Sequence, residues 1–439
     1  MEKRMQKEER ARIYVTGQLA GRDSILADLE SRCPDARFID GGTGFSIDAI
    51  RKRREEVDGV LVLGSYLDSE LGSIGLPVIV VQDLWSWEKG IEHFYTNQPV
   101  LTACVSQTDL SEEGYEARLG ELASKVRLII AIAKVKRSKL LDLTHLKTIQ
   151  PDDQRAEREE DYDEAYLGLV TDTFGLEVER IGFDSLSMNV DLERAEEIAD
   201  TWIEEAQATR DTTRENVVKS AAMYLGVKKL MEEHGANAVS MSGWTGFKDA
   251  RTEAFPCLGF TEMSKDLIPN NCESLIDAII TEMLGIHTIH RPGFVGDTVI
   301  DPLNGVVIWG HCKCPVNPHG DDRVPYIIRD HTGWPQGTGA GVQVLLPLGE
   351  TVTAVKISVY DRKISILTGE TVSGASLYRD FENISCRTKL VAKVDTEALL
   401  RNYDASTFGI HRVVFFGDWR QTFLNLARLI GFDAIEEDV

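Results

Sequence analysis

The chain has 439 residues, 43% of them hydrophobic, more than one hydrophobic core normally organises, so two or three soluble domains are expected. A formal charge of -23 opposes contact with nucleic-acid phosphates or anionic lipid, both of which call for a basic face, yet it leaves the potential inside any one cleft open. Seven cysteines scattered from Cys33 to Cys386 do not make a disulfide framework, the leader MEKRMQKEERAR lacks the apolar centre of a secretory signal, and no run approaches ~18 apolar residues; a reduced, cytoplasmic protein is expected.

In chain order, residues 12–16 (RIYVT) read as a short strand, and the turn at 17–21 leads into a helical pattern around Ile25, Leu26 and Leu29. Residues 60–63 (VLVL) and 77–81 (PVIVV) are continuous apolar runs of the kind buried on both faces of a parallel sheet. A long helix is expected over 118–136, and the polar stretch 150–163 reads as a solvated connection. A second α/β unit follows, with a strand at 176–181 and a helix over 213–234 that repeats Val217, Ala221, Leu225 and Leu230 at helical spacing. Gly235 stops that helix as a left-handed residue. A strand at 238–241 runs into a Gly/Trp loop at 242–246. From about residue 340 the period changes to two, through Val342, Val344 and Leu346, then Val355, Ile357 and Val359, then Ile364 and Ile366. One helix, 418–430, closes the chain. The expected architecture is α/β, with two Rossmann-like parallel-sheet domains (1–145 and 146–318) followed by a β-rich, barrel-like C-terminal domain (319–439).

The candidate chemistry gathers from residue 270 onwards. Asn270 or Asn271 is placed to cap a helix over 272–284, which puts Glu273 in the first turn, where the helix dipole favours its ionised form. Asp297 ends or interrupts a strand after Gly296, a residue that lets another group approach the backbone closely. Residues 306–311 (VVIWGH) read as a strand delivering His311 to its end. Taken singly, each of these has an ordinary structural role. Together, two carboxylates and a histidine suit an oxygen-rich divalent site for manganese, magnesium or cobalt. Cys312 and Cys314 have no second cysteine pair at finger spacing, so structural zinc is not expected there.

Gly243-Trp244, Phe255-Pro256-Cys257, Asn271-Cys272-Glu273, Gly296-Asp297 and His311-Cys312 occur in an order and spacing that resemble the L-fucose isomerase and L-arabinose isomerase superfamily. Gly409-Ile410-His411, followed by residues 413–418 (VVFFGD), resembles the C-terminal metal-histidine segment of those enzymes. The resemblance implies two α/β domains and a β-rich domain, assembled as a trimer or hexamer, with a manganese-type ion held by Glu273, Asp297 and His411. His311 is either a further ligand, as in the arabinose branch, or a pocket residue. Gly-Asp at 296 and 297 leans towards the fucose branch, whereas Thr16-Gly17-Gln18 is more like the arabinose branch, where a nearby glutamine reaches a neighbouring subunit's substrate.

Aldose-ketose isomerisation moves a proton between adjacent carbons, so one carboxylate takes a proton and another group returns one; Glu273 and Asp297 suit these roles while also holding the ion. Trp244 and Trp309 are candidate walls for the sugar face. Arg412, beside His411, either forms a salt bridge with Asp418 or Asp404 or binds an anionic substituent, which places a sulfonated hexose such as sulfoquinovose beside neutral deoxy sugars and pentoses. The competing readings are a non-catalytic sugar-binding or regulatory protein and a metal-dependent aldolase or lyase that shares the enediolate.

Overall fold

The computed structural model describes residues 10–85, 94–106, 110–147, 149–151, 153, 155, 161–186, 190–248, 252–331 and 338–439. The chain forms two compact units, Met1–Lys136 with Gln421–Ala434, and Arg137–Arg420 with Ile435–Val439. The class is the expected one: α/β with parallel sheets, followed by a closed antiparallel barrel.

In the first unit, β1 (Ala11–Thr16), β2 (Ala36–Asp40), β3 (Gly59–Leu63), β4 (Val78–Gln82) and β5 (Val100–Cys104) form a parallel sheet of order β2-β1-β3-β4-β5. Every residue of β3 is buried, as its unbroken apolar run requires. Helices α1 (Arg22–Arg32), α2 (Ile47–Lys52) and α3 (Glu112–Lys136) accompany it. The last begins before Arg118, since Glu112 and Glu113 favour a helix start.

The second unit opens with β6 (Lys139–Leu143), α4 (Tyr162–Phe174), β7 (Glu177–Ile181), α5 (Leu192–Glu205) and β8 (Ala208–Thr209). It continues through α6 (Arg214–His234), β9 (Ala238–Met241), α7 (Gly243–Lys248), α8 (Cys257–Lys265), β10 (Asn270–Asn271) and α9 (Ile276–Ile289). Strands β10-β9-β6-β7 make its parallel sheet. Thr213 caps α6 by accepting from the Asn216 N–H, and Gly235 ends it at φ 62°. Some of the described residues between β6 and α4 are less solvated than the polarity of the stretch suggests. Gln150 is buried and accepts from the Asp277 N–H at 3.1 Å, and Arg155 joins Asp153 to Asp361.

The remaining elements are β11 (Phe294–Asp301), β12 (Val306–His311), β13 (Tyr326–Arg329), β14 (Gly341–Val344), β15 (Thr351–Ser358), β16 (Lys363–Val372), β17 (Thr388–Lys393), α10 (Thr396–Asn402), α11 (Ala405–Phe408), β18 (His411–Phe416), α12 (Arg420–Ile430) and β19 (Asp433–Glu436). The order β15-β18-β11-β12-β17-β16 closes on itself through β15–β16 pairing, and β19 flanks β16. Phe294, Val307, Trp309, Leu390, Val414 and Phe416 pack in one buried core. Two details differ from the sequence expectation. The hairpin β11–β12, placed by sequence with the second α/β domain, supplies two barrel staves; and β14, whose alternation announced the β region, pairs instead with β13, whose other edge takes β8, in a small separate sheet. Alternation shows that a strand has a buried face but does not choose its partners.

Candidate metal centre

Glu273 follows the C-terminal end of β10, where open parallel sheets gather their ligand-binding loops. It does not occupy the first turn of a helix as expected. Ser274 takes a left-handed φ of 56°, which interrupts any helix there, and α9 starts only at Ile276 behind Leu275. Asn271, read from sequence as a possible cap, instead braces the loop. Its Oδ1 accepts from Ser240 Oγ (2.7 Å), the Glu273 N–H (3.3 Å) and the Leu275 N–H (3.2 Å), while its Nδ2 donates to the Leu275 carbonyl (2.7 Å).

Asp297 lies inside β11 and does not end it, opposite both His411 of β18 and Gly310 of β12. Residues directly opposite each other share a face of the sheet, so Asp297 and His411 meet. Gly296 allows the close packing: a Cβ there would stand 2.9 Å from Trp309 Cβ. His311 is the last residue of β12, as expected.

These elements bring four side chains together. His411 Nε2 stands 3.0 Å from Glu273 Oε2 and 2.9 Å from Asp297 Oδ1, and His311 Nε2 is 3.2 Å from Glu273 Oε1. One donor atom from each of Glu273, His311 and His411 falls within 4.8 Å of the others, a spacing that can hold a metal ion. Asp297 adjoins that group through His411. Both imidazoles are buried, whereas both carboxylates are 37% exposed, so the site opens on its carboxylate side. Two imidazole nitrogens with carboxylate oxygens suit a borderline or hard divalent ion, and this donor set admits manganese, cobalt, zinc or iron without choosing among them.

The electrostatics follow from crowding. Burial pushes the Glu273 carboxyl up, but the His411 and His311 imidazoles outweigh it and hold the group well below the ordinary carboxylate value. Burial likewise opposes the His311 imidazolium, while Cys272 and Glu273 raise it well above its ordinary value. Cys272 Sγ lies 3.7 Å from His311 Nδ1; hydrogen bonding to Cys257 and the neighbouring ring draw that thiol down to about 5. Among the described residues, the group of side chains spaced to hold a metal ion includes neither Cys312 nor Cys314.

The other candidates are distributed differently. Trp244, 47% exposed with the Lys248 ammonium over its ring, is the second residue of α7 and follows Gly243, whose N–H donates to the Cys272 carbonyl at 3.1 Å. It is therefore within a residue of the Glu273 loop and presents an aromatic surface. Trp309 is fully buried in the barrel core and forms no wall for a sugar. Arg412 is also fully buried. Its guanidinium donates to Glu437 (2.6 and 3.2 Å) and to the Gly409 and His411 carbonyls, and it stacks on Tyr403. Pleating turns it away from the face His411 uses, so neither the anionic-substituent role nor a bridge to Asp418 or Asp404 is formed. Gln18 is exposed just after β1 in the first unit.

Sequence reasoning missed Lys313 and Glu282, which form a fully buried pair behind the site at 3.4 Å. A lysine between two cysteines, of which Cys314 is buried and Cys312 half-buried, was the available signal. No protein-family model matches the chain, and no curated protein matches it.

Proposed function

We propose that this chain is a divalent-metal-dependent enzyme that interconverts an aldose and a ketose, with Glu273, Asp297, His311 and His411 at its reaction centre. The observation that carries the reading is the convergence of these four side chains, from one loop and three strands, in the pattern that the motif resemblance implies. Manganese is the favoured ion, with magnesium or cobalt as substitutes. When bound, such an ion polarises the carbonyl and hydroxyl oxygens of the substrate as a Lewis acid.

The chain's own groups account for the proton movements. Glu273 is held ionised by its two imidazole neighbours and has the longer reach, which makes it the base that removes the carbon-bound proton. Asp297 shares the same His411 nitrogen and returns a proton to the adjacent carbon, drawn from solvent at the open carboxylate side of the site, to which Glu273 releases the one it removed, while the substrate's hydroxyl proton passes to its neighbouring carbonyl oxygen. Trp244 offers an apolar surface to the C–H face of a sugar ring. With Arg412 turned into the barrel side and neutralised by Glu437, the reason for an anionic sugar falls away, and a neutral deoxyhexose or pentose is the proposed substrate class. Assembly into a trimer or hexamer in the cytoplasm, with Gln18 reaching a neighbouring copy's substrate, belongs to the same reading.

The test is proton NMR of aldoses incubated in deuterated water with manganese-loaded protein. Deuterium appearing at the carbon beside the carbonyl, together with ketose product, is the expected result, and Glu273→Gln should abolish both. A metal-loaded protein that exchanges no proton in any aldose would sink the isomerase reading, and cleavage into two smaller carbonyl products would replace it with a lyase.

A further inference from the structure

We propose that Lys313 and Glu282 are positioning residues of the metal centre, setting the separation of Glu273 from His311 by holding the backbone of Asn270 from both sides; this rests on the metal-centre reading above. Strand β10 is only two residues long, so its ladder hydrogen bonds alone anchor the Glu273 loop weakly. Both backbone groups of Asn270 are held by ionic side chains. Its N–H donates to Glu282 Oε2 at 3.0 Å, and its carbonyl accepts from Lys313 Nζ at 2.9 Å. Lys313 Nζ also stands 3.4 Å from Glu282 Oε1, closing a ring of polar contacts in which the two side chains are 1% and 0% exposed.

The placement of these residues gives the clamp its purpose. Lys313 is two residues beyond His311, and Asn270 is three before Glu273, so the ammonium ties the segment carrying one donor to the loop carrying the other. Lys313 lines the same small void as Glu273, His311 and His411. Glu282 comes from α9, which packs on barrel strands β15 and β18, so the clamp also references the loop to the barrel that carries Asp297 and His411. A dry ion pair contributes little to stability compared with an apolar pair of the same volume. Its contribution is directional: two charged groups fix the N–H and the C=O of one residue, and so the two peptide planes that meet at Asn270, in a geometry that apolar packing does not impose.

The experiment is a Co²⁺ titration of the metal-free, full-length protein, reading affinity and the visible absorption of the bound ion. Variants are Glu282→Gln, which keeps shape and removes charge, and the double Lys313→Met/Glu282→Leu, which replaces the pair by apolar groups. Both are expected to unfold cooperatively and to bind Co²⁺ about 10–100-fold more weakly with an altered spectrum, the size typical when groups behind metal ligands are lost. Wild-type affinity and spectrum in either folded variant overturns the clamp, and Glu282→Gln decides alone where the double variant does not fold. Failure of the unsubstituted protein to take up Co²⁺ overturns the metal centre itself, and the clamp with it.

Discussion

On β18 the pleat sends adjacent residues to opposite fates: His411 to the carboxylates, and Arg412 to the face that Val414 and Phe416 share. A guanidinium on that buried face is tolerated because Glu437 supplies the opposite charge and two carbonyls take further N–H groups. Removing one partner therefore costs far more than removing both. Arg412→Met should lower unfolding free energy by about 3–5 kcal/mol by leaving Glu437 buried and uncompensated, and Arg412→Met/Glu437→Leu should recover most of that loss in urea titrations. Equal stability of the single and double variants would show that the pair is not coupled. Glu273 illustrates the complementary case, a half-buried carboxylate kept ionised against its partial desolvation by two neighbouring imidazoles.

At the level of elements, the site is made by register. Asp297 faces His411 on one side and Gly310 on the other because β11 pairs with β18 and β12 in those alignments. A slip of one residue would turn Asp297 to the opposite face. Gly296 preserves the alignment, since any Cβ there would lie 2.9 Å from Trp309 Cβ and 3.3 Å from the Gly310 nitrogen. Trp309 is locked in the core and cannot give way. Gly296→Ala should thus push β11 from β12, costing about 1–3 kcal/mol of stability and weakening metal affinity through Asp297 and His411. Thermal unfolding with and without Mn²⁺ measures both effects, and an unchanged affinity would separate Gly296 from the site.

For the whole molecule, the candidate metal centre lies entirely within the unit Arg137–Arg420. An ion that binds only the folded form stabilises that unit by about 2.7 kcal/mol when present at 100 times its dissociation constant. Calorimetry with Mn²⁺ and then with chelator should therefore move the transition of this unit and leave that of the N-terminal unit in place. The shift should shrink as pH falls, because His311 is held protonated by Cys272 and Glu273, and a ligating imidazole must first lose that proton. A pH-independent shift, or one shared equally by both units, would contradict a centre built on these histidines.

The sequence by itself determined the elements whose physics is local. Unbroken apolar runs specified the central strands of the first sheet, Thr213 and Gly235 bounded α6, and alternation announced an antiparallel region after residue 340. Motif order pointed to Glu273, Asp297, His311 and His411, four side chains that the structure brings together. What it did not settle are matters of partner and facing. Helical periodicity could not reveal that Ser274 turns left-handed and holds Glu273 outside α9. Alternation could not say that β11 and β12 join the barrel, that Arg412 looks away from the site, or that Lys313 meets Glu282 behind it. Those outcomes depend on which strands pair and in what register, contacts between residues far apart in the chain that only the tertiary structure decides.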